Sequence, residues 1–232
     1  MVLSYSSLIL IPYIKKNKYL MLPMLLFSLI AFLMGTKKGV IVLITGVSSF
    51  YLVNRRIRLK NMLFLIGTIS TIIILMLRTE ILYNSIGYRF EGLFSLILEG
   101  EGDGSTRARL FFIKEAVNIF LANPFFGIGL DGFRYSVSQM TYSHSNYLEL
   151  LANTGLFGFS IYYFLPIYLW IKSLRFARKG ILEARISFAI ISAILINDFF
   201  AVTYETEYVF ILIALVYSRV IERKLNLVQG CQ

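Results

Sequence analysis

Within the stretch "SHSNYLELLANTGLFG", residues 143–158, lies His144, the single histidine of a 232-residue chain. Ser145, Asn146 and Glu149 follow closely, so an imidazole, a hydroxyl, an amide and a carboxylate share one short segment. Such a set can move a proton from a hydroxyl, or hold a sugar or phosphate by hydrogen bonds. The local pattern reads as a helix start. Asn146 is placed to cap, Glu149 three residues on is its box partner, and Gly155 closes the helix after "YLELLAN". His144 then precedes a helix N-terminus, where unpaired N–H groups suit a phosphate and the positive dipole end favours a neutral, proton-accepting ring. The plainer alternative is a loop histidine satisfied by its neighbours, with Glu149 serving only as a cap carboxylate.

Other chemistry is thin. Cys231 is the lone cysteine, which leaves no intramolecular disulfide and no thiol pair. One histidine does not make a histidine-rich metal site, so neither a metal nor a cofactor is expected. Gly127, Gly129 and Gly132 in "NPFFGIGLDGF" match the spacing of a dinucleotide fingerprint. That fingerprint needs a strand before it and a helix after it in a βαβ unit, and the sequence suggests neither, so the match is read as accidental. Asp198 falls in a late apolar block near its outer end, where substrate contact and simple solvation are equal alternatives.

The elements that must position these residues are set by composition. The chain is 57% apolar and 16% charged, against about 25% charged in soluble domains. This implies an all-α, polytopic membrane bundle. Apolar blocks at 1–14, 19–34, 39–53, 61–77, 156–171, 184–203 and 207–220 give about seven spans, the first one short. Several fall below the roughly 17–25 residues of an untilted span, a shortfall that snorkelling lysines and arginines and local thinning absorb.

Fifteen of the 23 lysines and arginines lie in 15–18, 54–60, 172–180, the flanking Arg185 and Arg219, and the tail 222–224. These clusters occupy every second connection and mark the cytoplasmic side. Of the 13 acidic residues, all but Glu183 and Glu222 then sit on or near the outer side. The net charge of +10 is therefore topological, with some attraction to anionic membrane lipid, and nucleic acid is not an expected partner. Met1 opens inside an apolar block without a basic leader, which suggests a shortened first span, and a longer polytopic parent, rather than a signal peptide. Three regions are expected: N-terminal transmembrane helices at 1–77, a long extracytoplasmic loop at 78–155, and C-terminal transmembrane helices with a short cytoplasmic tail at 156–232.

A loop that long needs structure of its own. In "STRARLFFIKEAVNIFLANPFFG", Ser105 or Thr106 can cap a helix whose apolar set is Leu110, Ile113, Val117, Phe120 and Leu121, with Pro124 beyond its end. The helix is expected to lie on the outer membrane surface or against the bundle.

Taken together, these residues resemble a known family. "HSNYLELLANTGLFG" fits the His-[Asn/Ser/Gln]-x9-Gly-x-x-Gly signature of O-antigen ligases and Wzy-type polysaccharide polymerases, with His144, Ser145, Gly155 and Gly158 in its fixed positions. Upstream, "RLFFIKEAVNIFLANPFFGIGLDGF" is similar to the family's arginine, helix and Asn-Pro-x-x-Gly-x-Gly run, and "TKKGV" to its outward Ser-Arg-Gly turn. The resemblance covers roughly residues 30–220. It implies a metal-independent glycosyltransferase of the GT-C type in the bacterial inner membrane. Its substrates would be an undecaprenyl-pyrophosphate-linked oligosaccharide and an acceptor glycan; other polysaccharide-assembly membrane proteins are further partners.

Carried over residue by residue, the resemblance implies catalytic roles for His144, Arg109 and Lys38. Substrate contacts would come from Arg107, Lys37, Ser145 and Asn146. Arg107 competes with Arg109, and Lys37 with Lys38, for the phosphate. Lysine at the hairpin departs from the family's arginine: it keeps the charge but loses the bidentate fork. Two other classes compete: a transporter or flippase, whose internal repeats and broken midplane helices are not evident, and an inactive remnant or binding subunit of a polysaccharide export system. The Lys-, Ile-, Asn- and Tyr-rich composition suggests an AT-rich genome and leans toward polymerase over ligase.

Overall fold

A computed structural model describes residues 2–10, 19, 22–23, 26, 37–53 and 104–229. Among these every regular element is helical: α1 (Val2–Leu10), α2 (Lys37–Leu52), α3 (Gly104–Ala122), α4 (Gly132–Ser136), α5 (Asn146–Ala177), α6 (Leu182–Asn197) and α7 (Glu207–Gln229). The expected span at 61–77, most of that at 19–34, and residues 78–103 of the long connection lie outside the described residues.

The sequence of α6, "LEARISFAIISAILIN", alternates branched apolar residues with Ala and Ser. Small side chains let neighbouring backbones approach closely, so α6 is enclosed on nearly all sides. It packs against α1, α2, α5 and α7, and Ile190, Ile191, Ala193 and Ile194 are buried. In α2, Gly46 leaves room for Leu8 of α1, since a Cβ there would overlap the Leu8 side chain.

Helix direction matters for the site. Arg185, in the first turn of α6, donates through Nε and Nη2 to the Phe50 carbonyl at the end of α2, at 3.3 and 3.0 Å, and lies 4.3 Å over the Phe50 ring. A cation on the last carbonyls of a helix complements its dipole. Because α2 and α6 pack along one another, each 16 residues or about 24 Å long, this contact makes them antiparallel. The start of α2, with Lys37 and Lys38, therefore lies at the end of the bundle where α6 finishes. That end carries Glu149, Asp198, Glu205 and Glu207; the opposite end carries Lys172, Arg175, Arg178, Lys179 and Arg185.

By length and composition α5, at 32 residues, is the one helix among the described residues able to cross a membrane. Its outer surface exposes Ile161 (63%) and Phe164 (72%), and α7 exposes Ile211 (68%), an apolar belt unlike the surface of a soluble domain.

Three expectations are corrected. The block 184–203 does not continue as helix: α6 stops at Asn197, and the following turn folds back onto the start of α5 because Asp198 finds buried donors there. The third helix begins at Gly104, so Ser105 and Thr106 fall inside its first turn rather than at its cap. Its apolar periodicity is also wider than one stripe. Phe112 and Ala116, with Ile119, face the protein and pack with Ala152 and Phe133, while Leu110, Val117 and Leu121 are exposed. Small Ala116 against small Ala152 gives the closer approach, and so decides which side turns inward.

Candidate functional site

Helix α5 bends sharply at Gly155, whose φ of 61° and ψ of −166° are not helical. In a continuous helix Leu156 N–H would bond Ala152 C=O, and Phe157 N–H would bond Asn153 C=O. Here those four groups turn to the segment after α3. Ile128 N–H donates to Ala152 C=O at 3.1 Å and Gly129 N–H to Asn153 C=O at 2.8 Å. In return Leu156 N–H donates to Pro124 C=O at 2.8 Å and Phe157 N–H to Phe125 C=O at 3.1 Å. Two helix bonds are exchanged for four bonds across a clasp, so the bend leaves no buried backbone orphan.

The glycines make this approach possible. Gly127 has φ 65°, and a Cβ there would strike the Asn153 backbone; a Cβ on Gly155 would strike the Phe125 backbone. Of the glycines in the accidental dinucleotide match, Gly127 thus serves the clasp, while a Cβ on Gly129 would meet nothing. Contrary to expectation, a short helix, α4, does begin at Gly132, but no strand precedes the run among the described residues. Gly155 ends the first helical segment as expected, and a second begins at once.

A second set of bonds holds the start of α5. Asn146 is fully buried and bridges two segments. Its N–H donates to Asp198 C=O at 2.8 Å, and its Nδ2 donates to Tyr163 Oη at 2.8 Å and Asp198 Oδ2 at 3.3 Å. Its Oδ1 accepts from Thr203 N–H at 2.8 Å and Tyr204 N–H at 2.9 Å. Asp198 takes further donors from Tyr163 Oη at 2.8 Å and Thr203 Oγ1 at 2.6 Å. Burial pushes the Asp198 carboxyl, one residue beyond α6, up to about 6, while Thr203, Tyr163 and Asn146 oppose the rise.

This overturns the expected cap. Ser145, not Asn146, is the N-cap and makes no side-chain cap bond; the Asn146 Oδ1 accepts instead from the backbone at 203–204. Glu149 instead accepts Ser143 N–H at 2.6 Å on Oε2. Burial raises its pKa, with the Ser143 donors pulling the other way.

His144 stands between these anchored neighbours. Its backbone is left-handed, φ 65°, an uncommon conformation for a non-glycine residue and one that concentrates at functional sites. The half-buried ring meets Tyr142 edge-on at 4.7 Å and Phe112 of α3 at 6.1 Å. Arg109 is half-buried one turn before Phe112, on the same side of α3, whereas Arg107 is exposed about 140° around the helix from Phe112. His144 and Arg109 are thereby brought to one side of α3. Lys37 and Lys38 share their end of the bundle by helix direction. Ser145, 5% exposed, and Asn146 lie behind the surface, with Ser145 Oγ donating to Asp198 C=O at 3.5 Å.

Sequence reasoning missed Tyr142 and Phe112 as walls of the histidine site. Their nearness to His144 and Arg109 in sequence was the one available signal. No group of metal-binding side chains is present among the described residues.

An all-helical chain with an exposed apolar belt, a clasped helix bend and a strained histidine beside basic residues describes a membrane protein with a built polar site at one end. The profile of the O-antigen ligase family matches residues 22–163, more than half of the chain. The chain belongs to this family, which is membrane-integral, has glycosyltransferase-type activity, and acts on lipid-linked glycans and acceptor polysaccharides. The match takes in Lys38, Arg109, the clasp and His144, and ends short of Asp198. No protein of curated function matches the chain.

Proposed function

We propose that the chain is a bacterial cell-surface polysaccharide polymerase or O-antigen ligase, moving glycan from undecaprenyl pyrophosphate to an acceptor sugar hydroxyl on the outer face of the plasma membrane. The observation that carries this reading is His144 itself, set in a left-handed turn against Phe112 and Tyr142 on a buried polar scaffold.

His144 takes the acceptor O–H proton as that oxygen bonds the anomeric carbon of the donor. The bond from that carbon to the pyrophosphate oxygen breaks, and the lipid pyrophosphate departs with the electron pair. Pyrophosphate leaves without protonation, so cations that stabilise its charge carry much of the rate. Arg109 takes that part from α3 and Lys38 from the start of α2, with Arg107 and Lys37 as outer contacts. Ser145 and Asn146 serve the substrate by holding the His144 turn. The separation of basic and acidic ends supports the polytopic arrangement, with the catalytic loop outside and the arginine- and lysine-rich end in the cytoplasm. On this reading the regions 1–77, 78–155 and 156–232 are membrane, loop and membrane.

The test is complementation of a polymerase-null strain with the full chain. A restored ladder of repeat units identifies a polymerase, and glycan attached to lipid A-core identifies a ligase. Replacing His144→Ala is expected to lower transfer about 10²–10⁴-fold, the usual worth of a general base. Unchanged polymer output would remove His144 from that role.

A further inference from the structure

Beside His144 lies a cavity of about 200 Å³ whose lining includes Asp131, Arg134, Tyr142, Glu149, Glu205 and Thr206. At roughly 30 Å³ per water it holds about seven waters, space for one sugar ring rather than a chain. Tyr142 is shared: it lines the cavity and also meets the His144 ring at 4.7 Å. The cavity therefore shares its Tyr142 wall with the imidazole, which also meets Phe112 of α3, one turn beyond Arg109.

Its chemistry differs from that of the Arg109 face of α3. Three carboxylates face one guanidinium, and that guanidinium is tied by Nε to the Met140 carbonyl at 3.3 Å. Glu149 is 1% exposed, and Ser143 is its one donor among the described residues. A carboxylate has about four acceptor sites, so Glu149 keeps acceptor capacity toward the cavity. Acceptors that outnumber donors, next to an aromatic wall, suit a ring presenting several O–H or N–H groups.

Building on the transfer reaction above, we propose that this cavity is the acceptor subsite, that it takes one uncharged or amino sugar ring, and that it rejects uronic and phosphorylated sugars. The two substrates are then sorted by charge around His144. The anionic donor lies at Arg109 and Lys38 and the hydroxyl-rich acceptor among the carboxylates of the cavity, with the acceptor O–H directed at the imidazole.

The test is saturation-transfer NMR on the full chain in detergent micelles, with methyl glucosaminide, methyl glucoside and methyl glucuronide as probes. The first two are expected to show ring-proton saturation, and the glucuronide little. The double variant D131N/E205Q, checked for folding by size exclusion and circular dichroism, is expected to lose about threefold in glucosaminide affinity, the scale of partly exposed charge contacts, and to admit the glucuronide. The H144A variant is expected to keep methyl-glycoside binding while losing transfer. Equal binding of glucuronide and glucoside by the unaltered chain, or no saturation of any probe, overturns the subsite and leaves the transfer reaction standing. Transfer that survives H144A overturns the transfer mechanism instead.

Discussion

Two devices hold the histidine turn, and they are built from different materials. The clasp between residues 124–129 and the bend at Gly155 is all backbone, four N–H···O=C bonds and two glycines. The knot around Asn146 and Asp198 is mostly side chain, joining residues 52 to 58 apart in sequence. A backbone clasp tolerates change in most side chains but none at its glycines. A side-chain knot depends on each polar group having its partner. The two should therefore fail differently.

The largest effect is expected at the clasp. Gly155→Ala places a methyl against the Phe125 backbone at a φ of 61°. The left-handed conformation costs about 1–2 kcal/mol, and the overlap adds about 1–3 kcal/mol. Gly127→Ala meets the same obstacle from the other partner. Thermal unfolding of the detergent-solubilised chain should show a large fall in midpoint for each. The double variant should cost less than the sum, because both glycines serve one contact. Strict additivity would mean that the glycines act separately.

Asn146→Ala comes next. It strips the acceptor from Thr203 N–H and Tyr204 N–H and a donor from Asp198, leaving buried groups unpaired at about 1–3 kcal/mol each before relaxation. Because the knot lies directly behind His144, transfer should fall along with stability. A variant that unfolds earlier yet turns over normally would detach the knot from the site. Tyr163→Phe is milder. It removes one hydroxyl bridging Asn146 and Asp198, and a loss of about 1 kcal/mol is expected by the same measurement.

The same contrast explains what was legible in the sequence. Helical class and the short apolar blocks follow from composition and periodicity, and they match α1, α2 and the segment of α5 after Gly155. The clasp left a trace because only glycine fits Gly127 and Gly155. The knot left almost none. Asn146 looked like a helix cap, since a cap needs only local sequence, whereas its true partners at 198–204 are set by how α6 returns. On α3, periodicity found Leu110, Val117 and Leu121, which are exposed, but not Phe112 and Ala116, which pack on Ala152 and Phe133.

The smallest effect, and the finest probe of the comparison, is pH. The folded Asp198 carboxyl is raised from the ordinary 3.8 to about 6, so the folded state holds this proton more tightly than the unfolded chain. Its contribution to stability is full below the unfolded value and is lost as pH rises through about 6. Glu149, raised in the same direction, adds to that slope. The unfolding midpoint should therefore decline between pH 4 and pH 6.5 from these two groups, and Asp198→Asn should flatten much of the decline. The clasp contains no titratable group, so Gly155→Ala should lower the whole profile without changing its shape. If Asp198→Asn leaves the slope intact, the donors from Thr203, Tyr163 and Asn146 outweigh burial, and the knot is an ionised carboxylate held by its partners.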